Sequence, residues 1–208
     1  MKYIYNPALY VSQHATQKII FEFFAARAPA HTMLVDVGAF GRFMSNTYAL
    51  LLLGWQGLLI EPNPRRRDII LEEFSNTNIE LLTMGAGDVR DELPFYLHKT
   101  VGYDTLSPTW RPEDKSGEVI SIPVAPLADI LDEKKFPKDF DFLSVDTEGY
   151  DNKIMKKFFE DSDFKPTLII TEAASYPLGN DLFRRHGYNL HAVAGGPISG
   201  NLIYSKRV

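Results

Sequence analysis

The residues of this sequence that are best suited to chemistry are acids that follow short apolar runs. Such runs, bounded by turn residues, predict buried parallel strands, and the carboxyl ends of parallel strands meet along one edge of a sheet. We therefore expect one edge to carry the acids Asp36, Glu61, Asp88, Asp146 and Glu172. Carboxylates there can accept hydrogen bonds from ligand hydroxyl groups, attract a cation or act as general bases.

The segment 33–45 predicts the first strand, a tight turn and the start of a helix. Gly38 lets a ligand approach the backbone, and Ser45 can cap the helix, whose first N–H groups are free. The spacing of Gly38 and Gly41 differs from G-x-G-x-x-G, which disfavours a nicotinamide cofactor. With Asp36 before it and no phosphate-anchoring lysine, the loop suits a cationic amino-acid ligand such as S-adenosylmethionine (SAM). An ordinary strand, turn and helix with a buried aspartate fits the same residues.

A second apolar run, residues 57–60, ends at Glu61. In a βαβ unit this acid lies at the tip of the strand next to the first, where a carboxylate can accept both ribose hydroxyls. A third run leads into the small-residue turn 85–88, where Gly87 and Asp88 are candidates for contact with an adenine edge. The plainer alternatives are a solvent-exposed strand-end acid for Glu61 and an ordinary turn for residues 85–88.

The composition excludes several classes of protein. The chain has 208 residues, 45% of them hydrophobic and 24% charged, as is ordinary for one globular domain. A net charge of −5 gives no attraction to nucleic acid, and the lack of cysteine excludes disulfides and thiolate metal sites. No apolar run approaches the roughly 20 residues that span a bilayer, and the N-terminus lacks the apolar core of a signal peptide. We therefore expect a cytoplasmic protein without a nucleic-acid partner; the sequence indicates no oligomeric state.

A doubly wound α/β sheet is predicted to position these acids. About seven strands alternate with helices along the chain, which is typical of a mostly parallel sheet covered by helices on both faces. We expect one domain, with an N-terminal helical cap over residues 1–30 and a core over residues 31–208. Extra strands are predicted at 95–98 and 118–124. They belong to an insertion near 93–124 that is expected to wall the acceptor pocket, with scaffolding as the alternative.

These motifs resemble the FkbM-type SAM-dependent methyltransferases. The matches run in order along nearly the whole chain: Ser12-Gln13 with Gln17, Val35-Asp-Val-Gly-Ala39, Ser45-Asn-Thr47, Leu53-Gly-Trp-Gln-Gly57, Ile60-Glu-Pro-Asn-Pro64, Gly87-Asp88, residues 127–131, and Asp141-Phe-Leu-Ser-Val-Asp-Thr-Glu-Gly-Tyr150. The pair Ile-Glu-Pro-Asn-Pro and Asp-x-Glu-Gly-Tyr at this separation is specific. The resemblance implies a Rossmann-like methyltransferase fold, SAM as methyl donor, and O-methylation of a hydroxyl on a sugar, glycan or natural product.

Carried over residue by residue, the resemblance also implies a SAM site. The residues that would hold the donor are Asp36, Gly38, Ala39 and Ser45 on the methionine side, and Glu61, Pro62, Gly87 and Asp88 on the ribose and adenine side. Asp146 and Glu148 would lie beside the transferring methyl group. The predicted partner is a small-molecule or glycan acceptor.

The first motif departs from the family pattern. The family continues it with Asn, a variable residue and Gly, whereas this chain has Phe40-Gly41-Arg42. Either the loop follows another path, with Gly41 supplying the permissive backbone one residue early, or the affinity for SAM is reduced. A non-catalytic binding module that has lost SAM is therefore the alternative function. A nicotinamide oxidoreductase is the more distant one.

Methyl transfer requires an aligned acceptor and a destination for the hydroxyl proton. Asp146 is the predicted general base or positioning group, because it ends a strand next to the first and should face the methyl group. Glu148 and Glu172 are second choices, and helix N-terminal capping is the alternative role of Glu148. A Mg²⁺ ion held by Asp146 and Glu172 is a disfavoured alternative, because the tip of the second strand offers only one acid as a ligand.

Overall fold

The computed structural model describes residues 12, 14, 16–175, 181–196 and 200–207. In chain order its strands are β1 (Met33–Val37), β2 (Gln56–Ile60), β3 (Asn78–Leu82), β4 (Gly85–Gly87), β5 (Asp91–His98), β6 (Lys115–Pro126), β7 (Phe142–Val145), β8 (Leu168–Glu172), β9 (Tyr188–Ala194) and β10 (Asn201–Lys206). Its α-helices are α1 (Thr16–Ala26), α2 (Tyr48–Leu52), α3 (Arg67–Glu73), α4 (Leu127–Glu133), α5 (Asp151–Asp161) and α6 (Leu182–Arg185). Short 3₁₀ helices span Pro64–Arg66, Pro112–Asp114 and Ala173–Ser175.

Within these residues the main sheet has seven strands in the order β3-β2-β1-β7-β8-β10-β9. The five strands from β3 to β8 in this order are parallel, and β10 runs antiparallel to β8 and β9. The predicted mostly parallel α/β sheet is therefore confirmed. The strand order reverses between β1 and β7, and at such a point a crevice opens beyond the carboxyl ends of the strands.

Alternate residues of the central strands pack on opposite faces of the sheet. Val35 and Val37 of β1 lie in one apolar layer with residues of α4 and α5, whereas Leu34 lies in the other with residues of α1 and α2. Strands that are covered on both faces must be apolar throughout, which explains the continuous runs in the sequence. Asp36 breaks this pattern within β1, yet it is only 6% exposed. An acid is thus buried at the edge where the strands end.

The N-terminal helix covers one face of the sheet. A helix is predicted over residues 12–27, and α1 begins at Thr16 and ends at Ala26 with Ile20 and Phe24 buried. Residues 1–11, 13 and 15 lie outside the described part of the chain, so only part of the predicted cap over 1–30 is described. No helix in the described ranges is long and apolar enough to cross a membrane.

A smaller sheet of three strands, in the order β4-β6-β5, contains the predicted insertion. The extra strands predicted at 95–98 and 118–124 lie within β5 and β6, which pair antiparallel. The turn predicted at residues 85–88 is wrong, because Gly85–Gly87 forms β4 and pairs parallel with β6. Glycine permits this close pairing, since a Cβ on Gly87 would lie 2.5 Å from a methyl group of Val124.

Gly38 lies against the backbone of Asp146, where β1 and β7 end side by side. Its φ is +84°, and a Cβ at this position would lie 1.8 Å from the carbonyl oxygen of Asp146. The Asp146 N–H donates to the carbonyl oxygen of Val37 at 3.0 Å, which holds the two chain segments together. Only glycine allows both the backbone angle and the close approach.

Replacement of Gly38 by Ala should therefore destabilise the fold more than glycine conformation alone explains. We expect a loss of about 3 kcal/mol or more in the free energy of unfolding, because an overpacking clash adds to left-handed strain. Gly54→Ala is the matched control, since φ is +87° there but no atom lies within 4 Å of an added Cβ. Its loss should be about 1–2 kcal/mol. Urea unfolding measures both, and equal losses would contradict the importance of the contact with Asp146.

Candidate active site

Two adjoining clefts open beyond the carboxyl ends of β1, β2 and β7. The first cleft encloses about 560 Å³ and has Glu61 and Ala86 in its lining. The second cleft encloses about 640 Å³ and has Asp36 and Asn46 in its lining. The residues that line both clefts, and so form the wall between them, are Gly38, Phe40, Gly102, Asp146 and Glu148.

Asp36 is tied to the start of α2 in the second cleft. Its Oδ2 accepts a hydrogen bond from the Thr47 hydroxyl at 2.6 Å. Burial raises the pKa of Asp36 to about 6, although hydrogen bonds from Thr47 and Ser144 act in the opposite direction. Ser45 also lines this cleft, and its Oγ accepts the N–H groups of Thr47 and Tyr48 at 3.1 and 3.0 Å. Ser45 thus contacts the first turn of α2, although the N-cap position is Thr47, which has no side-chain cap hydrogen bond. Ala39 lines the same cleft.

Glu61 lies in the first cleft beside Pro62. It is only 7% exposed, so the alternative of a solvent-exposed acid is wrong. Its Oε1 accepts the N–H of Asn63 at 2.7 Å. Burial raises the pKa of Glu61 to about 7, while the Asn63 hydrogen bond and the charge of Arg66 lower it.

Asp146 follows β7 and belongs to the wall between the clefts. Its Oδ1 atom is buried and has no hydrogen-bond partner among the described residues. Burial, followed by repulsion from Asp151 and Glu148, raises the pKa of Asp146 well above its usual range. Strongly shifted carboxyl groups in a cleft are typical of functional sites.

Glu148 is held in the same wall by the insertion. Its Oε2 accepts the indole N–H of Trp110 at 2.9 Å, and its carbonyl oxygen accepts the Thr105 hydroxyl at 2.7 Å. Burial raises the pKa of Glu148 to about 7, although the Trp110 hydrogen bond lowers it. The alternative role as a helix cap is not seen, because the N-cap residue of α5 is Tyr150 and no side chain makes a cap hydrogen bond there.

The insertion contributes residues to the lining of both clefts. Tyr103 lines the second cleft, and Asp104 and Leu106 line the first. Trp110 packs on Gly149 so closely that a Cβ there would lie 2.3 Å from the indole ring. Residues of the insertion therefore form part of the wall of each cleft.

Three predicted site residues lie outside the described linings of the two clefts: Gly87, Asp88 and Glu172. Asp88 stands behind the first cleft, where it accepts the hydroxyl of Tyr150 at 2.9 Å. Gly85 and Ala86 take the lining positions instead, because the β4 pairing turns Gly87 toward Val124. Glu172 ends β8, which pairs with β7 through Thr171 and Val145, so this acid lies beside Asp146 at the same edge of the sheet. Burial, followed by repulsion from Glu148, raises the pKa of Glu172 to about 8.

The unusual loop 40–42 is held in place by side chains from other elements of the chain. The guanidinium of Arg66 lies 3.8 Å from the ring centroid of Phe40, and its Nε donates to the Phe40 carbonyl oxygen at 3.0 Å. Arg42 is exposed, and its N–H donates to Glu73 at 2.7 Å. Gly41 has a φ of +158°, a backbone angle that residues with a side chain rarely adopt, so it supplies the permissive backbone considered for it. The loop keeps its shape through side-chain contacts from α3 and the turn before it.

Several lining residues escaped the sequence analysis. Arg66 lies in the run Arg65-Arg66-Arg67, whose charge alone favours a solvated helix face. Asn46 and Tyr150 lie inside motifs that carry the family resemblance, and that membership was the only signal for them. Their positions depend on contacts between distant segments.

No group of three or more His, Cys, Asp or Glu side chains in the described ranges is arranged to hold a metal ion. The clefts instead offer several separate carboxylates, two glycines in the shared wall and an oxygen of Asp146 that is unpartnered in the described part of the chain. Such groups suit a ligand that carries hydroxyl groups and a positive charge.

Solved methyltransferases share this fold. The FkbM methyltransferase of Methylobacillus flagellatus KT superposes with a TM-score of 0.54 at 19% identity, over 83% of this chain and 43% of that chain. The putative methylase HI0767 of Haemophilus influenzae gives 0.52 at 10% identity, over 93% and 98%. The putative methyltransferase yhhF of Escherichia coli gives 0.51 at 10% identity, over 93% and 86%. The architecture is that of a methyltransferase.

A family model of the methyltransferase FkbM domain matches residues 36–190. The chain belongs to this family, as the resemblance implied. No curated protein sequence matches it. The chain spans less than half of the length of the Methylobacillus protein, 43%.

The buried acids should make the fold less stable as the pH rises. A carboxyl group with a raised pKa holds more protons in the folded than in the unfolded state, so the free energy of unfolding falls with pH. The pKa of Glu61 is about 7 in the folded protein. The free energy of unfolding should therefore decrease by about 1–3 kcal/mol between about pH 5 and 8. Urea unfolding across this range measures it.

Glu61→Gln should flatten this pH dependence, since the amide does not titrate. The matched control is Glu22→Gln, because the Glu22 side chain is 67% exposed. An unchanged slope in Glu61→Gln, or a wild-type protein that gains stability from pH 5 to 8, would contradict the burial of an ionisable Glu61.

Proposed function

We propose that this protein is a SAM-dependent O-methyltransferase that acts on a hydroxyl group of a sugar, glycan or other natural product. The observation that carries the proposal is the position of Asp146 in the wall shared by both clefts, with a buried Oδ1 that lacks a partner among the described residues. Membership of the FkbM family supports the choice of reaction.

The two clefts fit the two ends of the donor. In the first cleft, Glu61 can accept hydrogen bonds from ribose hydroxyls, and Pro62 and Ala86 offer apolar surface to the base. In the second cleft, Asp36 can attract a cationic amino-acid end, with Gly38, Ala39 and Ser45 beside it. Asp88 and Gly87 support the first cleft from behind, through Tyr150 and β4.

The acceptor would enter at the wall where the clefts meet. Bound SAM would supply a methyl group to the acceptor oxygen by in-line displacement, with cleavage of the bond between the methyl carbon and sulfur. The hydroxyl proton needs a base, and the ionised Asp146 carboxylate can accept it at Oδ1. Glu148 borders the same position, and Glu172 adds negative charge near it.

The raised pKa of Asp146 sets the direction of the pH dependence. The proton-accepting form is the carboxylate, and its population grows as the pH rises through the pKa. Turnover should therefore increase with pH. A bound sulfonium cation would favour the ionised form and move this increase to lower pH.

Asp146→Asn should lower kcat by about 10²–10⁴-fold, because general-base catalysis contributes about this much. The Kd for S-adenosylhomocysteine, which lacks the sulfonium charge, should change less than about threefold, since an amide of the same shape keeps the wall intact, and the increase of rate with pH should disappear. Release of S-adenosylhomocysteine from a panel of monosaccharide glycosides and hydroxylated natural products measures turnover, and calorimetry measures the Kd.

The matched control is Asp68→Asn, because the Asp68 side chain is 95% exposed. It should leave both quantities unchanged. Undiminished turnover in Asp146→Asn would remove Asp146 from the mechanism. Failure of the wild-type protein to bind SAM would favour the non-catalytic module instead.

A further inference from the structure

Asn46 is a buried polar residue to which neither the fold nor the proposed reaction gives a role. It lies two residues before α2, is 7% exposed, and its Oδ1 has no hydrogen-bond partner among the described residues. The residue lines the second cleft. Buried side-chain oxygens are nearly always hydrogen-bonded, so an atom of this kind beside a cleft marks the place of a ligand donor group.

The neighbouring polar groups are already engaged. Ser45 Oγ accepts the N–H groups of Thr47 and Tyr48, and the Thr47 hydroxyl donates to Asp36. The structure records no hydrogen bond from any of these groups to Asn46. Asn46 Oδ1 is therefore available to accept an N–H or O–H group of a molecule bound in the cleft.

The charge of the cleft selects the kind of donor group. Asp36 and Asp146 line the same cleft as Asn46, so a cationic group is attracted there and a carboxylate is repelled. The sulfur of SAM joins the ribose to the amino-acid chain. With the ribose in the first cleft, the amino-acid chain must pass the shared wall into the second.

We propose that Asn46 Oδ1 accepts a hydrogen bond from the α-ammonium group of the donor, and that Asn46 is thus a binding residue for its amino-acid end. This proposal rests on the proposed function, since it takes SAM as the ligand. The acceptor hydroxyl is the competing partner for Asn46 Oδ1, and the test below separates the two.

The test compares two ligands that differ only in the amino-acid part. S-adenosylhomocysteine carries the ammonium group, whereas 5′-methylthioadenosine ends in a methyl group. Asn46→Leu should raise the Kd for S-adenosylhomocysteine by about 10–100-fold, because a hydrogen bond to a charged group is lost. The Kd for methylthioadenosine should stay within about twofold, which also shows that the site remains folded. Calorimetry on the full chain measures both.

Asn46→Asp gives a second, near-isosteric variant. A carboxylate oxygen can still accept from the ammonium group, so S-adenosylhomocysteine should bind within about threefold of wild type or more tightly. A large loss in this variant would mean that Asn46 contacts the ligand carboxylate, and would overturn the assignment to the ammonium group. The control is Asn152→Leu on the exposed face of α5, which should change the Kd of neither ligand.

The remaining outcomes are also decisive. Unchanged binding of S-adenosylhomocysteine by Asn46→Leu would overturn the inference and leave Asn46 to the acceptor. Wild-type protein that binds both ligands equally would overturn it as well, because the amino-acid end would then contribute nothing. Wild-type protein that binds neither ligand would overturn the donor site, and with it the proposed function.

Discussion

Burial of acidic side chains at one edge of a parallel sheet is the constraint on which the rest of this structure depends. Removal of a carboxylate from water disfavours its charged form, and the pKa values of Asp36, Glu61 and Glu148 are raised for this reason. The insertion maintains the burial, since Trp110 and Thr105 are hydrogen-bonded to Glu148. The acids also repel one another. A cationic ligand between them would relieve this repulsion, so the proposed affinity for a sulfonium donor and the expected loss of stability with rising pH would have one cause.

The fold and the acid-bearing edge could be predicted because their signals are local. A strand buried on both faces must be a continuous apolar run, so β1, β2 and β7 could be located with the acids at their ends. The contact of Ser45 with the first turn of α2 could also be predicted, because it joins residues within three positions, although the N-cap position is Thr47. The error at residues 85–88 arose because Gly and Asp favour turns locally, whereas the pairing of β4 with β6 joins segments about forty residues apart in the chain.

Contacts between distant segments also explain what the sequence could not indicate about the site. Phe40 and Arg42 depart from the family pattern, and the loop shape then rests on Arg66 and Glu73. Arg66 in addition lowers the pKa of Glu61, which couples the loop to the first cleft. The side chains that hold this unusual loop thus come from another part of the chain, which the spacing of residues in the sequence does not reveal. The same holds for Asn46, because the missing hydrogen-bond partner of its side-chain oxygen can be recognised only in the folded structure.

A crystal structure with S-adenosylhomocysteine tests the central claim most directly, since it locates both ends of the donor relative to the buried acids. We expect ribose hydroxyls within hydrogen-bond distance of Glu61, the sulfur beside Asp146 in the shared wall, and the amino-acid chain in the second cleft. A ligand bound elsewhere on the protein, or ribose hydroxyls that do not contact Glu61, would contradict this arrangement.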